Sequence, residues 1–412
     1  MKTRGTKFVG NELKYVKQVL RSDMKSSTGG SWNKKLEKIF CETFGVKYAV
    51  AHNSGTSALH SCLSAIGVGP GDEIISPALT VMMNALATLH HNAVPVFADV
   101  DPDTFNIDPA DIERKITPRT KAIMVVSLYG LPPEMNEIMR IARKHGLYVI
   151  EDNAECYLGY YKGRVAGSIG DMSVFSMENS KHISVGEGGM VITNNEKLAE
   201  RARKCGGIGF KNLRAGEGRI KLNEDIFQDP DYKRHDYFGW NYRLPELNAA
   251  VGLAQMERLE EIVKKRQKIA EYYTEAIAGC NWMVPQYVPE DCVSSYWTYV
   301  IKYEGQKAMG ISWRKFRKIY KDLGGDSFYA AWSVPYLEPV IQQGIFYGEK
   351  GCPVKCPWYR GKFNFGRGQC PVAESIQPKL MHFKTNYRNL KSAKEKVAIL
   401  GKAIKKIVSL RG

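Results

Sequence analysis

Lys181 and His182 stand side by side in FSMENSKHISVGEGGMVITNN, Phe175 to Asn195, and they support different chemistries. A lysine amine condenses with an aldehyde or ketone to form an imine, whereas an imidazole moves protons or binds a metal. Ser176, five residues before the lysine, can donate to a phosphate on the same ligand. The glycines of GEGG let backbone pass close to such a ligand, or only form a tight turn before the run MVIT. Judged alone, a lysine in a loop is also an ordinary solvated charge.

Three further stretches can join that site. In HNSGTSALHSCL, Gly55, Thr56 and Ser57 open a helix after a strand. Free N–H groups, the positive dipole end and two hydroxyls suit a phosphate there, or simply cap the helix. In YVIEDNAE an apolar strand ends in Glu151, Asp152 and Glu155. A carboxylate in that place can hold a proton on a pyridinium nitrogen, ligate a metal or cap a loop. In GWNYRLPELNAA, Asn241 can donate its amide to a phosphate and Arg243 can bind a carboxylate, unless both serve local hydrogen bonds before the helix.

The elements that position these residues follow from apolar periodicity. KYAVAH, DEIIS, VPVFADV, KAIMVVSLYG, GLYVIED, MSVFSM and GMVIT are short strand-like runs, separated in several places by amphipathic segments such as PPEMNEIMRIARKHG. That rhythm predicts a mainly parallel α/β sheet, whose active sites gather at the carboxyl ends of strands. Residues 204–240 read as a long loop rich in Gly and charge, and PELNAAVGLAQMERLEEIVKKRQKIAEYYTEAI reads as one helical stretch of some thirty residues. The remainder predicts a smaller α/β domain, with a strand at YWTYVIKY and helices near SWRKFRKIYKDLG and LKSAKEKVAILGKAIKKIVS.

Composition sets bounds on function. The 412 residues are 44% apolar and 25% charged, the balance of a globular protein large enough for two domains. The net charge of +16 invites a nucleic-acid reading, but VKKRQK and KSAKEK lie in amphipathic helical surroundings and read as solvated faces. A diffuse positive field favours an anionic small substrate, and no nucleic-acid partner is expected. Nine scattered cysteines predict reduced thiols. Cys352, Cys356 and Cys370 with His382 do not match a strong zinc spacing, so no metal is expected. The N-terminal stretch lacks an apolar signal region and no run is long enough to span a membrane, which places the protein in the cytoplasm.

The order and spacing of the four motifs resemble the DegT/DnrJ/EryC1/StrS family of sugar aminotransferases, pyridoxal-phosphate enzymes of fold type I. The likeness runs from about Phe8 to Glu275 and includes GPGDEIISPALT, PVFADVDPDTFNIDP, DIERKITPRTKAIMVVSLYG and YYKGR. The tract around DIERKITPRTKAI and the Glu of EDNAE look closest to the branch of GDP-perosamine synthases and related 4-amino-sugar enzymes. The resemblance implies a large cofactor-binding domain over 1–250, with an N-terminal helical arm and a mainly parallel seven-stranded sheet. A linking helix and a small C-terminal α/β domain then occupy 251–412.

Carried over position by position, the resemblance puts Lys181 at the cofactor-linked lysine, Asp152 at the pyridinium partner, and Gly55, Thr56, Ser57 and Ser176 at the phosphate cup. Glu155 stands where many members carry Gln or His. Val81, followed by Met82, stands where an aromatic ring commonly stacks on the pyridine. Asn241 matches the asparagine that reaches the phosphate of the neighbouring subunit, which implies a homodimer with shared sites. The family's 3-dehydratase branch reads HHIT where this chain reads KHIS, so transamination is implied: an amino group from glutamate or glutamine to a keto sugar, nucleotide-linked and of the 4-keto-6-deoxy type. A 3-keto sugar or keto-cyclitol acceptor, and a non-catalytic regulatory protein on the same fold, are the alternatives. GEKGCPVKCPWYRGKFNFGRGQCPVAES has no counterpart in the family pattern.

Overall fold

Short runs of β-branched and aromatic residues build the central sheet of the computed structural model. Its strands are Tyr48–His52 (β1), Glu73–Pro77 (β2), Val94–Ala98 (β3), Thr120–Val126 (β4), Tyr148–Asp152 (β5), Met172–Ser176 (β6) and Gly189–Thr193 (β7). They lie in the order β1-β7-β6-β5-β4-β2-β3, a seven-stranded sheet. All neighbours pair in parallel except those of β7, which runs against both β1 and β6. Strands β2, β6 and β7 are buried along their whole length, the pattern of a sheet covered on both faces. The structure describes residues 8–22, 24, 30–216, 218–330, 332–344, 346–347, 350–362 and 365–410. The beginning of the stretch read as lacking a signal region, residues 1–7, lies outside them, as do 348–349 and 363–364 of the unmatched C-terminal stretch. Among the described residues no helix is long and apolar enough to cross a membrane.

Helices cover both faces because their apolar residues recur at helical spacing. In Met135–His145 the buried residues are Met135, Ile138, Ile141 and Ala142, and Gly146 ends the helix in the left-handed conformation. The helical stretch predicted after Pro245 is two helices, Glu246–Met256 and Leu259–Ala276, with a turn at Glu257 and Arg258. Both turn residues are held by the helix Glu12–Leu20 and its cap: Asn11 and Tyr15 donate to Glu257, and Arg258 donates to Glu12 at 2.6 Å. These side-chain anchors accompany the break that apolar periodicity alone does not reveal.

A second, four-stranded antiparallel sheet runs Met283–Pro285, Thr298–Tyr303, Leu380–Lys384, Tyr329–Ala330. Tyr299, Ile301, Met381 and Phe383 pack with Phe316, Tyr320 and Leu400 of the helices Trp313–Asp322 and Leu390–Ser409. Alternate residues Val300 and Leu380 face the other way and join Leu79, Phe97 and Tyr129 of the large sheet's surroundings. One sheet is thus pressed over the carboxyl ends of the other.

Among the described residues of the stretch from Gly351 to Ser375, Val354, Tyr359 and Cys370 lie against the edge strand β3 at Val94 and Phe97. Val354 and Tyr359 pack on Val94, and the Tyr359 hydroxyl donates to Glu73 at 2.9 Å beside the Arg119 guanidinium at 2.8 Å. An uncovered edge strand is a template for pairing with other chains, and these residues lie against this one.

Burial also fixes a pH response. His52 is enclosed between the Val50 carbonyl at 3.0 Å and Ser61 at 2.8 Å, and burial pushes its pKa down to about 4. The folded-state value lies below the unfolded value near 6.5, so the unfolded chain takes up the proton first as pH falls. His52 therefore costs no stability above the unfolded pKa and progressively more below it. His52→Gln is expected to make the loss of unfolding free energy between about pH 7.5 and 5.5 smaller by about 1 kcal/mol. Urea titrations at the two pH values check this, and an unchanged difference would contradict it.

Candidate active site

Strand alternation sorts the acidic residues that end β5. Glu151 and Asp152 point to opposite faces. Glu151 turns toward the loop after β5, where it accepts from the backbone N–H groups of Gly167 (2.8 Å), Ile169 (2.8 Å) and Gly170 (2.6 Å). It is a buried loop clamp. Glu151→Ala leaves three donors unpaired and is expected to cost about 3 kcal/mol or more, read as a lowered denaturation midpoint. Retention of the wild-type midpoint would contradict that role.

Asp152 turns to the other face. Its Oδ2 accepts from Asn84 at 3.1 Å and its Oδ1 from the Ala154 N–H at 3.0 Å. Burial pushes its carboxyl pKa up, and the positive charge of Lys181 works against that rise. Glu155, on the following turn, accepts from the Tyr129 backbone N–H at 2.9 Å and from the Trp332 indole at 3.0 Å. Tyr129 holds φ at 63°, a left-handed conformation that aims its N–H at Glu155. Burial raises the Glu155 pKa too, again opposed by Lys181.

Lys181 is not a solvated charge. Its side chain is 12% exposed, with Nζ 3.7 Å from Glu155 Oε1 and 4.4 Å from the centre of the Trp297 ring. Trp297 stacks on Trp332 with ring centres 5.5 Å apart, so two indoles from the C-terminal sheet wall the lysine. His182 points away. Its Nε2 meets the Ser295 carbonyl at 3.0 Å, its ring packs on Tyr157, and burial pushes its pKa well down.

The carboxyl ends of β1 and β6 meet beside it. Ser54 and Ser57 form a capping box at the helix Gly55–Ala65, and Ser57 also donates to Asn53 at 2.7 Å. A Cβ on Gly55 would come within 3.0 Å of the Ser176 Cβ, so only a glycine leaves that space open. A Cβ on Gly189 would lie 2.2 Å from the Ser54 carbonyl oxygen, which accounts for a glycine at the end of GEGG. Ser176 Oγ accepts from the Glu178 N–H at 3.3 Å. Thr56 and Ser57 line a cavity of about 570 Å³ with Asn53, Ser54 and Asn241 of the same chain. The Asn241 amide oxygen accepts from Arg243 Nε at 2.9 Å.

Val81 is half-buried at the end of the loop after β2, and the adjacent Met82 packs in the cluster that contains Trp297 and Trp332. Cys370 lies against the Phe97 carbonyl, whereas His382 packs on Tyr129 and Trp332. The suspected cysteine and histidine set is therefore not gathered, and among the described residues no group of three His, Cys, Asp or Glu is placed to hold a metal. Asn84, Tyr129, Trp297 and Trp332 escape the sequence reading. Asn84 lies inside an ordinary helix, and the two tryptophans reach the site from more than a hundred residues away in the chain.

A cavity of about 630 Å³ opens between Asn179, Trp297, Trp332, His382, Lys384 and Asn386, on the C-terminal side of the lysine loop. The assembly can hold an aromatic cation against Asp152 and an anion at the Gly55 helix, and it presents one buried amine.

Comparison with known proteins returns a family model, the DegT/DnrJ/EryC1/StrS aminotransferase family, over residues 7–394. GDP-perosamine synthase of Caulobacter vibrioides is 40% identical over 297 residues, 71% of this chain and 74% of that protein. The spore coat polysaccharide biosynthesis protein SpsC of Bacillus subtilis is 34% identical over 352 residues, 85% of this chain and 87% of that one. Among solved structures, the aminotransferase from Psychrobacter cryohalolentis superposes with a TM-score of 0.80 at 28% identity, covering 99% of this chain and 98% of that chain.

Proposed function

Because the chain belongs to the DegT/DnrJ/EryC1/StrS aminotransferase family, we propose that it uses pyridoxal 5′-phosphate to move an amino group from glutamate or glutamine to a nucleotide-linked 4-keto-6-deoxy sugar. The observation that carries this reading is the buried Lys181 amine, set between Glu155 and Trp297 on the same side of the sheet as Asp152. Similarity to a GDP-perosamine synthase and to a polysaccharide-biosynthesis protein supports the acceptor class.

The residues present fit the cofactor. The space kept by Gly55 beside Ser176, at the start of a capped helix, suits its phosphate, and the Asp152 carboxylate suits its ring nitrogen. When bound, the cofactor supplies a carbonyl that condenses with amines and a pyridinium ring that withdraws electrons. Thr56 would add a hydroxyl to the phosphate cup, Ser57 could donate there only by giving up its bond to Asn53, and Val81 would lie against the ring. Asn241 is exposed at the rim of the Thr56 cavity of its own chain; on the family likeness it would also reach the phosphate of a neighbouring subunit, and the working form would be a homodimer in the cytoplasm.

Lys181 would hold the cofactor through its amine, and the same amine, when free, would be the base that moves the proton at the substrate's α-carbon. Asp152, held by Asn84 and Ala154, keeps a proton on the ring nitrogen by remaining ionised against it. Glu155, fixed by Tyr129 and Trp332, keeps its Oε1 toward Nζ and receives or returns the lysine's proton. The Trp297 and Trp332 rings exclude water from that exchange and present a flat wall to a sugar.

The test is spectroscopic. Protein loaded with pyridoxal phosphate is expected to absorb near ~420 nm, glutamate is expected to bleach the band, and a panel of keto sugars is then offered to restore it. Restoration by nucleotide-linked 4-keto-6-deoxy hexoses is the expected result. Restoration by a free keto-cyclitol alone would reject the nucleotide-sugar acceptor.

A further inference from the structure

Two buried arginines in this chain are treated differently by their surroundings. Arg203 pairs with both oxygens of Glu37, at 2.9 and 3.0 Å. Arg266, on the helix Leu259–Ala276, is as deeply buried, yet among the described residues none of its acceptors is a carboxylate. Its Nη1 donates to the Trp297 carbonyl at 2.7 Å and to the Thr385 hydroxyl at 3.0 Å. Its Nη2 donates to the carbonyls of Lys181 at 3.1 Å and Ser180 at 3.4 Å.

A buried cation without a counter-charge is costly, and here only carbonyl and hydroxyl dipoles offset it. Those dipoles belong to three parts of the chain that must meet for the site to form. They are the loop carrying Lys181, the residue preceding the strand Thr298–Tyr303, and the end of the strand Leu380–Lys384. The Trp297 indole N–H adds a bond to the Ser180 carbonyl at 3.1 Å, and Thr385 donates to the carbonyls of Tyr296 and Trp297 at 2.7 and 2.9 Å. Trp297 therefore shares Arg266 with the lysine's backbone while its ring lies 4.4 Å from the lysine's Nζ. The charged or titratable groups facing that amine are Glu155 and Asp152 from the large sheet, and burial keeps the adjacent His182 neutral.

We propose that Arg266 is a positioning residue for Lys181: its guanidinium ties the lysine's own backbone to Trp297 and Thr385, so the seat of the C-terminal sheet sets where the amine points. The proposal rests on the reading of Lys181 as the attachment point of the cofactor, and its test separates the two.

Full-length wild type, Arg266→Met and Arg266→Lys are first compared by thermal unfolding. Each is then exposed to a limiting amine-reactive ester, and the Lys181 peptide is quantified against that of the exposed Lys197 by mass spectrometry. In Arg266→Met the Lys181 to Lys197 labelling ratio is expected to rise several-fold. The pyridoxal phosphate concentration that half-develops the ~420 nm band is expected to rise about tenfold or more, from the loss of charge-assisted hydrogen bonds. Arg266→Lys, which keeps the charge but not the fork, is expected between the two. If Arg266→Met does not fold, Arg266→Lys and Thr385→Val decide by the same readouts. A labelling ratio within about twofold of wild type in the folded variants overturns the clamp, whatever the band does. A raised ratio in a protein whose wild type never develops the band keeps the clamp and rejects the cofactor reading.

Discussion

Replacing Lys181 with alanine is expected to remove amino transfer altogether, a loss of at least about 10⁴-fold in kcat, the upper range of a single general acid–base group. The expected effect is large because, on the proposed reading, one amine would serve both as attachment point and as proton carrier. Its setting cannot rescue the chemistry. Glu155 at 3.7 Å has no amine to exchange protons with once Nζ is gone, and the Trp297 ring loses the cation it faces. His182→Ala is the control: that ring meets the Ser295 carbonyl and Tyr157, so the variant is expected to keep the coloured band. Loss of the band in the histidine variant, with retention in the alanine-181 variant, would show that the wrong neighbour has been chosen. Turnover is followed by glutamate-dependent loss of the keto sugar.

Asp152→Asn is expected to lower kcat by about 10²–10³-fold while leaving cofactor binding within several-fold of wild type. Asparagine keeps the shape: its one amide oxygen still accepts from the Ala154 N–H, and its NH2 takes the place of Oδ2 opposite Asn84, whose amide must turn over to accept from it. What it loses is charge. Burial drives the Asp152 carboxyl toward its neutral form against the Ala154 and Asn84 hydrogen bonds and the Lys181 charge, and a positive ring nitrogen placed against it would further favour the ionised form. The amide offers no such charge, so the ring no longer stays protonated and withdraws electrons less. A variant with wild-type kcat would remove Asp152 from the electron-withdrawing role and leave it as a packing residue.

The sequence made the strands legible because burial on both faces leaves short apolar runs without polar alternation, as in Val191 and Ile192 of β7 and Val174 and Phe175 of β6. It did not announce that β7 alone runs antiparallel, since apolar periodicity is blind to direction. Asp152 and Ser176 could be singled out because each ends a strand, and Lys181 because it lies in the loop that follows Ser176, where loop backbone and reactive groups gather. Glu151 and Asp152 read alike as neighbours, and only their opposite faces separate a loop clamp from a site carboxylate. Trp297, Trp332 and Arg266 were not legible as site residues, because their role exists only after the C-terminal sheet settles on the lysine loop. The described residues of the unmatched stretch from Gly351 to Ser375 found their reason in a neighbour too, lying against the edge strand β3.

The central claim is that Lys181 is the amine that takes the cofactor's carbonyl. The protein is incubated with pyridoxal phosphate, reduced with borohydride, digested and mapped by mass spectrometry. One pyridoxyl group per chain is expected on the peptide containing Lys181, and none on that peptide if glutamate is added before reduction. A label on any other lysine, or no label while the protein still transfers amino groups, would contradict it.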